Sequence, residues 1–148
     1  MEILRTEEAS IYFGVLHAVE KVTQSFQQGQ IFSIIGPNGA GKTTYFNLVS
    51  GYYMPTSGSV FFKGHDVTHL KAYERTKMGI GRTFQNIMLF RELTVLDNAM
   101  VGMHSRMKSG IMNAVVRPPH TRQEEHEGRE RVREILDFVG LSGFENLD

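Results

Sequence analysis

The stretch IFSIIGPNGAGKTTYFNLVSG, Ile31 to Gly51, decides the fold. Its first five residues, Ile31 to Ile35, are apolar, mostly β-branched and bounded by Gly29 and Gly36, the pattern of a strand buried on both faces of a parallel sheet. The next eight satisfy GxxxxGK[ST] with Gly36, Gly41, Lys42 and Thr43. From Thr43 the residues YFNLVS predict a helix that stops at Gly51. Strand, glycine-rich loop and helix in that order are the context in which the pattern is a phosphate-binding loop.

Chemistry explains each position. A polyphosphate needs many donors close together, and backbone N–H groups can curl around it only where side chains do not obstruct, hence Gly36, Gly39 and Gly41, with Pro37, Asn38 and Ala40 between them. The unpaired N–H groups and the positive dipole end of the following helix point at the same anion. Lys42 supplies a mobile positive charge to the β and γ phosphates, the Thr43 hydroxyl can ligate Mg²⁺ bridging them, and Thr44 adds a hydroxyl contact. With glycine near 7% of residues, the pattern arises by chance in about one in a couple of hundred chains of this length.

Downstream, PTSG at Pro55 to Gly58 predicts a turn into the strand SVFF, and Lys63-Gly64 turns the chain again, giving a small antiparallel ribbon beside the main sheet. Leu70 to Met78 reads as a short helix closed by Gly79, and GIGRTFQ as a further strand ending near Gln85. Thr94-Val-Leu-Asp97 has capping-box spacing, and Thr121-Arg-Gln-Glu124 starts another capped helix. In that helix Val132, Ile135, Leu136 and Val139 recur at helical spacing until Gly140. Residues 102–120 read as a partly helical surface insertion.

A chain of 148 residues with 41% hydrophobic and 22% charged residues falls in the single-domain globular range. A formal net charge of zero lacks the basic excess of nucleic-acid binders, so no nucleic-acid partner is expected. The absence of cysteine rules out disulfides and thiolate metal sites, and the six histidines show no metal-ligand spacing. MEILRTEEAS lacks a secretory pattern and no run reaches bilayer-spanning length, so a membrane role is expected to run through an embedded partner.

GPNGAGKTT, followed by FNLVSGYYMPTSGSVFFKGHDVT and GIGRTFQNIMLFRELTVLDNAMVG, closely resembles the ATP-binding subunits of ABC transporters, and RTFQNIMLFRELTVLDN resembles the branched-chain amino-acid uptake subfamily most. The resemblance implies an α/β phosphate-loop NTPase fold: a mostly parallel sheet core, a small antiparallel ribbon and a helical segment. It places Gln85 at the Q-loop glutamine, which ligates Mg²⁺ near the γ-phosphate and links the nucleotide site to the membrane subunit. Lys42 and Gln85 thereby become the catalytic candidates and Thr43 and Gln85 the metal candidates. Phe13, before Gly14, resembles the aromatic that stacks on adenine, with Tyr12 as the alternative; Val15 stands where a second glycine is common. The implied partners are membrane permease subunits, a second ATP-binding subunit in a homo- or heterodimer and, indirectly, a solute-binding protein, with the protein peripheral on the cytoplasmic face of the cell membrane.

The family's signature LSGGQ, its Asp-Glu strand and its later histidine are not in the sequence. Leu141-Ser142-Gly143 resembles the start of a signature but comes too early, and reads as a helix-ending turn. Residues 1–148 are therefore expected to be the N-terminal part of one ATP-binding domain, its C-terminal part absent, that alone does not turn over ATP. The alternative is a nucleotide-binding module without hydrolytic activity. A GTPase reading has only Asp137-Phe-Val-Gly140, which closes a helix, and no NKxD motif.

Overall fold

The computed structural model describes residues 1–84, 89–103 and 119–147, the first four of the last segment by backbone only. The chain forms two compact units, Met1–Arg82 and Thr83–Asp148.

In the first unit, β1 (Glu2–Phe13) and β2 (Leu16–Gln27) form a long antiparallel hairpin; β3 (Ser57–Phe62) pairs with the other edge of β1, and β4 (His65–Asp66) with β3. The order is β2-β1-β3-β4 and every pairing is antiparallel. Helix α1 (Lys42–Val49) buries Tyr45 and Leu48 against Ala9, Ile11, Val19, Val60, Phe62 and Val67. The Tyr45 hydroxyl meets the buried Thr6 hydroxyl at 3.0 Å, fastening the helix to β1. Burial raises the Tyr45 pKa, and the Thr6 hydrogen bond acts in the opposite sense.

Two expectations are corrected here. Ile31 to Ile35 form no strand, and Ile31 and Ile35 are 98% and 93% exposed. Residues 79–84, read as the rise of another strand, are not strand either. A parallel strand needs a crossover partner to take its hydrogen bonds; the sheet formed by the described residues is antiparallel throughout. The antiparallel ribbon of β3 and β4 is continuous with this sheet through β1.

The local signals held elsewhere. Helix α1 ends at Val49 with Gly51 just beyond, PTSG leads into β3, and Lys63 and Gly64 both take positive φ in the turn to β4. Helix α2 (Ala72–Met78) closes on Gly79 in the left-handed region. Its Arg75 is fully buried: Nε donates to the Leu70 carbonyl, Nη1 to those of Leu48 (2.7 Å) and Val49 (2.8 Å), and Nη2 to that of Thr68. Two of these acceptors belong to the last turn of α1, whose carbonyls have no intrahelical partner. Desolvation lowers the Arg75 pKa from the ordinary guanidinium value, with the Asp66 carboxylate opposing it.

The second unit packs α3 (Val95–Met103) on α4 (Pro119–Phe138) through Leu96, Val132 and Leu136. Thr94 Oγ1 accepts the Asp97 N–H at 3.1 Å, one half of the capping box, while the Asp97 carboxylate accepts from the Thr94 hydroxyl rather than from a backbone N–H. Helix α4 starts two residues before Thr121, at Pro119, where a missing N–H costs nothing. Its buried stripe is narrower than the spacing suggests, since Ile135 and Val139 are exposed. Gly140 and Leu141-Ser142-Gly143 fall in turns beyond the helix, and Gly140 N–H donates to the Asp137 carbonyl, closing DxxG as a helix end. Most of the 102–120 insertion lies outside the described residues.

Candidate nucleotide-binding site

Residues 36–41 form an irregular loop that enters α1 through Gly41. Gly39 and Gly41 take φ of 84° and 79°, values that side-chain-bearing residues seldom adopt. At Gly41 space also decides: a Cβ there would lie 2.2 Å from the Ala18 carbonyl oxygen of β2. The loop is thus seated on the hairpin by backbone contact. No side chain caps the start of α1, so the helix presents its first N–H groups and positive dipole end uncompensated, the physical requirement for binding an anion.

Asn38 to Thr44 line a cleft of about 340 Å³ with Phe13, Leu16, His17 and Ala18 from the tip of the hairpin. The described lining residues include the cationic Lys42 and no carboxylate. Gly36 and Pro37 are not in the lining; their carbonyls each accept a 2.7 Å hydrogen bond from Lys42 Nζ. The ammonium is therefore folded across the mouth of its own loop, and must exchange these two carbonyls to reach a ligand. The Thr43 and Thr44 side chains make no hydrogen bond to a described residue, leaving two hydroxyls available in the cleft.

The two aromatic candidates sit differently. Tyr12 stacks on His17, with ring centroids 4.1 Å apart, and does not line the cleft, whereas Phe13 does. The turn between β1 and β2 is made with positive φ at Gly14 alone, so Val15 needs no glycine geometry and points into solvent. Gln85 lies outside the described residues. Leu16, His17 and Ala18 were not singled out from the sequence; only the register of the hairpin, Phe13 opposite Leu16 and Tyr12 opposite His17, brings them to the loop.

Solved cassettes match this fold. A nucleotide-free ATP-binding cassette from an ABC transporter matches with TM-score 0.78 and 35% identity, over 99% of this chain and 57% of that one. The ADP conformation of an ATP-binding cassette of an ABC transporter matches with TM-score 0.80 and 35% identity, over 99% and 57%. The fold is accordingly that of the ATP-binding cassettes, a class of phosphate-loop NTPase. Residues 19–147 match the family described as ABC transporter, and the chain belongs to that family.

Two relatives are similar along most of this chain. The high-affinity branched-chain amino acid transport ATP-binding protein LivG of Salmonella typhimurium is 39% identical over 129 residues, 87% of this chain and 51% of the relative. The corresponding protein BraF of Pseudomonas aeruginosa is 36% identical over 144 residues, 97% and 56%. The chain spans about half the length of these relatives. Among the described residues no helix is long and apolar enough to cross a membrane.

Proposed function

We propose that residues 1–148 are the N-terminal, phosphate-binding part of one ABC-type ATP-binding domain, serving an importer of branched-chain amino acids. The observation that carries this reading is the uncapped start of α1, with Lys42, Thr43 and Thr44 in one cleft with Phe13. Phe13 stacks on the base, residues 36–41 and the first turn of α1 hold the phosphates, and Lys42 exchanges its two loop carbonyls for phosphate oxygens. The donor set fits Mg²⁺, a hard cation that takes hydroxyl and amide oxygens: Thr43 offers an unengaged hydroxyl, and Gln85 is the second ligand by resemblance. When bound, the ion neutralises charge on the β and γ phosphates.

The solute reading rests on the names of LivG and BraF, both branched-chain amino acid transport proteins. Coupling through permease subunits, pairing with a second ATP-binding subunit, an indirect solute-binding partner and a place on the cytoplasmic face of the membrane belong to the same proposal. A second reading, a nucleotide-binding module without hydrolysis, applies to the 148 residues taken alone, since they contain no Asp-Glu pair to activate water.

Equilibrium dialysis of the purified chain against Mg-ATP and Mg-GTP tests the proposal. Saturable binding in which ATP is held at least as tightly as GTP is expected. No saturable binding, or a preference for GTP, would overturn it.

A further inference from the structure

We propose that Tyr53 is a positioning residue for the nucleotide base: it braces the Phe13 ring without itself entering the cleft. The inference rests on the reading of Phe13 as the base-stacking group.

Phe13 ends β1 at the tip of a hairpin, 47% exposed, where an unsupported ring would exchange rotamers freely. Tyr53, 39% exposed, meets it edge to face, with centroids 5.4 Å apart and planes at 77°. That geometry pairs the positive edge of one ring with the negative face of the other, and so fixes orientation as well as contact. Tyr53 is not among the residues lining the cleft, so it acts through Phe13.

The segment carrying Tyr53 is tied at both ends. Tyr52 and Tyr53 N–H groups both donate to the Asn47 carbonyl on α1, at 2.9 and 3.1 Å. Three residues on, Thr56 N–H donates to the Ser10 carbonyl at 2.7 Å, and Thr56 Oγ1 accepts the Tyr12 N–H at 3.1 Å. Tyr53 is therefore held between the helix that carries Lys42, Thr43 and Thr44 at its other end and the strand that carries Phe13. A base seated on Phe13 is kept in register with phosphates at the start of α1 through this bridge, which makes ordering of the ring a contribution to binding.

The experiment compares calorimetric affinities for Mg-ATP and for magnesium tripolyphosphate, which has the phosphates and no base, in wild type and in Tyr53→Ala, Tyr53→Leu, Tyr53→Phe and Phe13→Ala. Tyr53→Ala and Tyr53→Leu are expected to weaken ATP about 2- to 10-fold, the scale of one aromatic pair, with tripolyphosphate affinity unchanged and Tyr53→Phe restoring wild-type binding. Phe13→Ala is expected to weaken ATP at least as much, again sparing tripolyphosphate. If Phe13→Ala weakens ATP while both non-aromatic Tyr53 variants bind it as wild type, the bracing role falls and the base site stands. Equal losses for ATP and tripolyphosphate in those variants would make Tyr53 a prop of the loop and overturn the inference. ATP affinity unaffected by Phe13→Ala would remove the base site itself, and the brace with it.

Discussion

Gly41 lies so close to Ala18 that a Cβ on the glycine would come within 2.2 Å of the Ala18 carbonyl oxygen, and its φ of 79° independently disfavours any side chain. The contact joins the phosphate loop to β2 through backbone alone, so neither partner can yield by changing rotamer. Gly41→Ala is expected to destabilise the chain by more than about 1 kcal/mol and to abolish saturable ATP binding. Urea unfolding and dialysis read the two effects separately; wild-type stability in this variant would show that the loop does not rest on β2.

Arg75 is a buried cation whose partners are all backbone carbonyls, two of them on α1. Replacement by Met removes every donor and leaves the carbonyls of Leu48, Val49, Thr68 and Leu70 short of partners, at a cost expected to exceed about 3 kcal/mol. Arg75→Lys should recover only part of this, because a single ammonium cannot reproduce the planar fork that reaches two elements at once. Denaturant midpoints check the order wild type, Lys, Met; a Met variant as stable as wild type contradicts it.

Tyr45 links alkaline pH to stability. Its folded pKa lies above the ordinary 10.0 because burial disfavours the phenolate. A raised folded pKa means that the contribution is complete below the unfolded value and is lost as pH rises through the folded one. Stability should therefore fall above about pH 10, and Tyr45→Phe should flatten that limb while costing about 0.5–1.5 kcal/mol at neutral pH for the lost Thr6 bond. Phenolate absorbance against pH, alongside unfolding curves, measures both; an unchanged alkaline limb in the variant argues against Tyr45 as its source.

Leu48 and Ile35 make opposite predictions from similar side chains. Leu48 is fully buried in the core of the first unit and Ile35 is 93% exposed. In the 148-residue chain Leu48→Ala should cost about 2–5 kcal/mol, whereas Ile35→Ser should stay within about 0.5 kcal/mol. A large loss from Ile35→Ser would restore the buried strand that the sequence pattern predicts.

Legibility followed the range of the interaction. The loop, α1, the turn into β3, the Lys63-Gly64 reversal and the Gly79 stop depend on a few neighbouring residues and their backbone dihedrals, and all could be read locally. The β1–β2 hairpin left little trace: positive φ at Glu8 and Lys21 accompanies register shifts along the ladder, which break the alternation that marks a strand. Ile31 to Ile35 has the composition of a buried strand, but a strand exists only with partners, and composition carries no information about them. Arg75 carries no local mark of its burial, since its acceptors lie as far as 27 residues away in sequence. Of the candidate site, Phe13 and Asn38 to Thr44 converge in one cleft, while Tyr53 signals its place only through the turn that returns the chain to β1.

The central claim is that this loop holds nucleotide phosphates, and a thermal shift with Mg-ATP on wild type and Lys42→Ala tests it most directly. At one hundred times its dissociation constant the nucleotide should add about 2.7 kcal/mol to wild-type stability. Most of that gain should vanish in Lys42→Ala, which lacks the ammonium now lying on the Gly36 and Pro37 carbonyls. Equal shifts in the two proteins, or none in wild type, would contradict the account.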